Sequence, residues 1–219
     1  ERAARDAAGR YLVCLPDMSA GIDTLANLRD PGRLCLDLFD RRAEVLDAAM
    51  RITDAWEETF VDTWDILLDA GAGMRSIFGP WSSAPHTVPT CDFNALIGPD
   101  DFREVCLPSL EEQARRAGRC LFHLDGPDAA RHAPALGETE HIQAIQYTPG
   151  SATPSGLAKL EMFQQLQEAG KRLLIPAPFD ELEAILDGLE PRGLALSVSR
   201  VGTPERADAV MRYIEERFS

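Results

Sequence analysis

The chain has 219 residues, 45% of them hydrophobic, enough to bury the core of one large domain or a large part of one. Its formal charge of −14 repels phosphate backbones, and no basic stripe with interleaved aromatics appears, which argues against nucleic acid and anionic membranes as partners and leaves a small-molecule substrate. No apolar run approaches membrane-spanning length, residues 1–10 are charged rather than signal-like, and the five cysteines are scattered without a C-x-x-C pair, so a cytoplasmic protein with reduced thiols is expected.

Residues 1–8 read as the last turns of a helix closed at Gly9, and residues 11–16 as a buried strand with Asp17 just past its end. Residues 21–28 and 31–39 read as two short helices broken at Asp30-Pro31. The strongest helical pattern spans 41–69, where Leu46, Ala49, Met50, Thr53, Trp56, Phe60, Trp64 and Leu67 recur at three- and four-residue spacing. Asp47, Asp54, Glu57, Glu58, Asp62 and Asp65 on its other side predict a solvated acidic face. A weaker strand is expected over 74–78, and Gly79-Pro80-Trp81 then opens a long loop carrying His86, Cys91 and Asp92. Gly98-Pro99-Asp100-Asp101 begins a helix that runs to Ala117 and stops at Gly118.

The next strand, centred on Leu121-Phe122-His123-Leu124-Asp125, draws the most attention. Leu121, His123 and Asp125 share one face, and Cys120, Phe122 and Leu124 the other. A histidine and an acid at the C-terminal end of a strand in a helix-covered parallel sheet point to a site. Arg131 and His132 follow on a helix start. Strands are expected at 142–147 and 172–176, with a helix over 155–169 between them that stops at Gly170. Asp180-Glu181-Leu182-Glu183 reads as a capping box. On the last strand, 193–199, Leu194, Leu196 and Val198 face one way and Ala195, Ser197 and Ser199 the other, before Thr203-Pro204-Glu205 caps a final helix.

Six strands each followed by helix, with no glycine-rich fingerprint, predict no nucleotide cofactor and an α/β fold of (β/α)8 TIM-barrel type. Such a barrel needs eight strands, so residues 1–219 are expected to form a single partial barrel domain lacking its N-terminal units. His123 and Asp125 could bind a divalent metal, with Cys91, Asp17 or Asp92 completing the shell, or Asp125 could orient His123 as a general acid or base with Asp17 nearby. Trp81, Asp92, Gln146, Tyr147 and Ser199 are the expected substrate-binding residues.

Several segments, taken in order, resemble the uroporphyrinogen decarboxylase superfamily, which also contains zinc- and corrinoid-linked methyltransferases. They are Gly32-Arg33-Leu34-Cys35-Leu36-Asp37-Leu38-Phe39-Asp40, Gly98-Pro99-Asp100-Asp101-Phe102 leading to Leu107-Pro108, His123-Leu124-Asp125-Gly126, Gly170-Lys171-Arg172 and Gly202-Thr203-Pro204-Glu205. The resemblance implies the barrel, a site at the C-terminal mouth of its strands, and a missing N-terminal portion. It implies a methyltransferase-branch enzyme acting on a small methylated or acidic substrate, with zinc and a corrinoid protein as companions. A tetrapyrrole decarboxylase is the alternative, with Arg75, Arg131 and Arg200 as candidate substrate clamps, and a non-catalytic ligand-binding barrel is the third. The chain departs from the family in having Ser199-Arg200-Val201 where decarboxylases carry a histidine. Asp125 stands where the methyltransferase branch has the first cysteine of its His-x-Cys pair, which moves the expected shell from thiolate to oxygen and nitrogen.

Overall fold

In a computed structural model that describes residues 1–7, 9–14, 16–70, 73–150 and 155–218, the first part of the chain is helical: α1 (Arg2–Ala7), α2 (Gly21–Arg29), α3 (Pro31–Asp40) and α4 (Arg42–Asp69). The break between α2 and α3 lies at Asp30, whose φ of 81° is incompatible with helix and whose side chain accepts from the Arg33 N–H at 3.0 Å. Helix α4 buries Val45, Ala49, Thr53, Trp56, Phe60, Trp64 and Leu67; of the stripe its periodicity predicts, Leu46 and Met50 are only half-buried, and Val45 is buried in addition.

Two two-residue strands follow, β1 (Met74–Arg75) and β2 (Trp81–Ser82), paired antiparallel. The strand expected over 74–78 is therefore shorter and turns back on itself, because Gly79 adopts a φ of 110° and the Ser76 N–H bonds the Pro80 carbonyl at 2.8 Å. The Trp81 indole packs on Gly73, where a Cβ would overlap it. Of the strand expected over 11–16, residue 15 lies outside the described residues, and Cys14 makes a single parallel bridge to Arg75.

A long helical run comes next: α5 (Pro99–Asp101), a π-turn over Phe102–Cys106, and α6 (Leu107–Ala117), stopped by Gly118 at a φ of 78°. The wide turn precedes Pro108, which has no N–H to continue the regular ladder. Four parallel strands then alternate with helices: β3 (Leu121–Asp125), α7 (Gly126–Ala129), α8 (Ala133–Gly137), β4 (Ala144–Thr148), α9 (Leu160–Glu168), β5 (Arg172–Pro178), α10 (Leu182–Gly188), β6 (Leu194–Ser199) and α11 (Pro204–Phe218). Their order in the sheet is β3-β4-β5-β6.

The fold is thus α/β with one four-stranded parallel sheet, rather than the six parallel strands expected, and β6 is a free edge among the described residues. One face of the sheet carries Phe122, Leu124, Ile145, Tyr147, Leu173 and Ile175, all buried in the main core with Phe163 of α9 and Ile185 of α10. The opposite face carries His123, Gln146, Leu174 and Ala195 in one register row and is more open. Along β6 the half-buried residues are Leu194, Leu196 and Val198 and the exposed ones Ala195, Ser197 and Ser199, as the alternation predicts. The expected capping box over 180–183 does not form, since no side chain caps the start of α10 or of the 3-10 turn before it; Glu181 accepts from Ser155 Oγ at 2.7 Å and from the Leu157 N–H at 3.3 Å, joining the start of α10 to the chain before α9. No helix among the described residues is long and apolar enough to cross a membrane.

Candidate metal centre

The site is assembled on the open face of β3. Strand alternation sends Phe122 and Leu124 into the core and leaves His123 half-buried and Asp125 exposed on the other side. The segment beginning at Thr87 runs parallel to β3: the Thr87 N–H bonds Arg119 O at 2.9 Å, the Leu121 N–H bonds Thr87 O at 3.0 Å, and the His123 N–H bonds Pro89 O at 2.9 Å. This pairing delivers Asp92, the first residue of a 3-10 helix (Asp92–Leu96), to His123. Asp92, His123 and Asp125 each offer one ligand atom, and these atoms lie within 4.8 Å of one another.

Neighbouring groups fix these side chains. His123 pairs across the strands with Gln146, and its Nδ1 meets Gln146 Oε1 while Gln146 Nε2 donates to Thr148 Oγ1 at 3.0 Å. An amide oxygen only accepts, so Nδ1 carries the proton and the Nε2 lone pair remains for a metal or a substrate proton. Phe78 stacks on the imidazole with centroids 4.5 Å apart. Asp23, buried in the first turn of α2, accepts from Thr90 Oγ1 at 2.8 Å, the Asp92 N–H at 2.9 Å and the Phe93 N–H at 3.1 Å, anchoring the turn that bears Asp92. On its far side the 3-10 helix is held by Arg131, which donates to the Ala95 carbonyl at 2.8 Å, and by buried His132, whose Nε2 bonds the Asn94 carbonyl at 2.9 Å.

A cleft of about 360 Å³ opens beside this cluster, with Asp17, Asp23, Phe78, Asp92, Leu96 and His123 in its lining. Among the described residues none of Asp17, Asp23, Asp92 or Asp125 is ion-paired with a lysine or arginine. Burial first, then the charges of Asp23, Asp125 and Asp17, raises the Asp92 carboxyl above its ordinary value against the opposing pull of His123. Concentrated negative charge of this kind is relieved by a cation, and two carboxylates with an imidazole are a donor set that suits a divalent ion.

The residues singled out from sequence divide. His123 and Asp17 line the cleft, Asp125 and Gln146 adjoin His123, and Asp92, expected either to complete a metal shell or to contact substrate, joins the cluster of candidate ligands. Cys91 does not: it is 1% exposed in the hydrophobic core, and burial together with the neighbouring Cys106 thiol pushes its pKa well up. Its neighbour Asp92 takes the place expected of it. Tyr147 is also in the core, edge-on to Phe163 with centroids 5.5 Å apart, because strand alternation puts Gln146 beside His123 on the open face of the sheet. Trp81 lines a different cavity, of about 580 Å³, at the N-terminal ends of the strands with Arg119 and Gly193. Ser199 ends β6, three strands and roughly 14 Å from β3. Sequence reading missed Asp23 and Phe78. Asp23 looks like any first-turn acid, and Phe78 like the end of an apolar strand. Compared with family models, curated proteins and solved structures, the chain matches none of them.

Proposed function

We propose that the chain is a metal-assisted enzyme of (β/α)-barrel type, related to the methyltransferase branch of the uroporphyrinogen decarboxylase superfamily, with Asp92, His123 and Asp125 holding one divalent cation. The observation that carries this reading is the convergence of the three side chains, one delivered by a separate segment, beside a cleft with no lysine or arginine among the residues lining it. The donor set is rich in oxygen and nitrogen, which favours zinc, manganese or cobalt without thiolate ligands. A bound ion would act as a Lewis acid on a substrate oxygen or nitrogen.

The chain's own residues do the rest. Gln146 keeps the His123 lone pair directed at the site, Asp23 sets the Asp92 backbone, and Phe78 and Leu96 supply apolar walls. Asp17 is left to orient a substrate or take a proton from it. The barrel is supported by the parallel bridges at Cys14 and Thr87, which continue the pattern of the sheet beyond β3 towards the N-terminal part of the chain, and by the small residues on the inner face of β6. The link to a corrinoid partner protein rests on the sequence resemblance alone.

A tetrapyrrole decarboxylase is disfavoured by charge. A substrate with several carboxylates needs converging arginines, whereas Arg131 is engaged with the Asp128 and Ala95 carbonyls, Arg200 pairs with Asp180 at 3.5 Å, and neither these two nor Arg75 is in the cleft lining. Titrating metal-stripped protein with Zn²⁺ and Mn²⁺ tests the proposal. One equivalent should bind, and His123→Ala, Asp92→Asn and Asp125→Asn should each weaken binding by at least about tenfold while Cys91→Ser leaves it unchanged. Undiminished binding in both Asp92→Asn and His123→Ala would remove the centre from consideration.

A further inference from the structure

Behind the cleft lies a second, much smaller cavity. Its volume is about 20 Å³, and Trp56 of α4, Ser76 just after β1, and His86 before the β3-paired segment all line it, with Asp17 and Ile77 shared with the cleft. The three side chains are 5%, 2% and 7% exposed. Each carries a buried polar atom with no hydrogen-bond partner among the described residues: Trp56 Nε1, Ser76 Oγ and His86 Nδ1. Buried polar atoms rarely stay unpaired, and three around one cavity share one explanation.

We propose that this cavity binds a single water molecule that bridges Trp56, Ser76 and His86. The volume decides the size of the occupant, since one water needs about 10–15 Å³ by this measure and a second would not fit. The chemistry decides its charge. The indole N–H can only donate, which disfavours a cation, and the Asp17 carboxylate on the wall disfavours an anion. Burial lowers the His86 pKa, against the opposing effect of the Ala84 backbone and with the positive charge of Arg119 adding to it; in the neutral ring Nδ1 presents either a proton or a lone pair, and a water can answer both. The hydroxyl of Ser76 takes whichever role is left. The bridge joins α4 to the residues immediately before Ile77 and Phe78, and to the segment whose pairing with β3 brings Asp92 to His123.

The test is water-to-amide magnetisation transfer measured on the indole N–H groups of 15N-labelled full chain. The chain has three tryptophans, and Trp56→Phe identifies the resonance concerned. The Trp56 indole proton is expected to show a cross-relaxation peak to water with the negative sign of a long-lived contact, while exchanging slowly with solvent. A serine hydroxyl exchanging with solvent could imitate that peak, so the peak must survive in Ser76→Ala. Its loss in Ser76→Ala would make the hydroxyl the direct partner and overturn the proposal, as would a slowly exchanging Trp56 indole with no water peak in the unmodified protein. If Trp56→Phe fails to fold, selective 15N labelling with Trp64→Phe and Trp81→Phe assigns the same resonance by elimination.

Discussion

In the proposed centre the two ring nitrogens of His123 have separate duties, and Gln146 enforces the separation. Gln146→Leu keeps the approximate shape but removes the acceptor for Nδ1–H, so the imidazole is no longer held in one tautomer. Metal titration of this variant should show affinity lower by about 10–100-fold, with Gln146→Glu, which still accepts, close to the parent. Asp92 is held the other way, in an environment that resists its charge. Its carboxyl pKa is raised in the folded state, so its contribution to stability is present at low pH and lost as pH rises through that raised value. At pH 7 and without metal, Asp92→Asn should therefore raise the melting temperature, and the gain should vanish in acid below the usual carboxylate range. A melting temperature unchanged or lower at pH 7 would show that neither partial burial nor the charges of Asp23, Asp125 and Asp17 oppose the Asp92 carboxylate. Asp92→Asn is thus expected to gain stability where, in the proposed centre, it removes a ligand, a trade common at binding sites.

Between elements, the acidic face expected on α4 is only partly solvated. Arg116 of α6, with its side chain 14% exposed, reaches Asp54 at 2.7 Å and Glu57 at 2.8 Å on α4 and Glu112 at 2.7 Å on its own helix. Arg115 first and Arg116 second hold the Glu112 carboxyl down to about 2. A depressed carboxylate stabilises the fold above its unfolded value of about 4.3, and that contribution is lost as pH falls from there towards 2. Arg116→Met leaves three carboxylates facing one another and should cost about 1–3 kcal/mol, read as a lower melting temperature at pH 7 and a smaller difference near pH 3. Salt should shrink the effect, because Asp54 and Glu57 are open to solvent. Periodicity revealed which side of α4 is apolar. It could not reveal that a helix some sixty residues later brings a guanidinium across the polar side.

At the scale of the whole molecule, the sheet is unequal across its width. Strands β3, β4 and β5 bury Phe122, Ile145, Leu173 and Ile175 under helices, whereas β6 is a free edge among the described residues and the only buried side chain of α11 is Val210. Amide hydrogen exchange should be slowest in β4 and fastest in β6 and α11, since local opening costs least where few apolar contacts are lost. Equal protection in β6 and β4 would mean that something pairs with the β6 edge in solution. The amino-acid sequence by itself determined the alternation of strand and helix from residue 119 onward, the buried stripe of α4, the stops at Gly118 and Gly170, and which face of β3 bears His123 and Asp125. Each of these depends on a period of two or 3.6 residues, or on a local turn, within one stretch of chain. Only the tertiary structure decided that Asp92 and not Cys91 meets His123, that Asp23 anchors that turn, that Phe78 covers the imidazole and that Trp81 lies at the other end of the strands. Those outcomes follow from the parallel pairing of Thr87 with β3 and from the reversal at Gly79, long-range register and turn geometry that no single segment encodes.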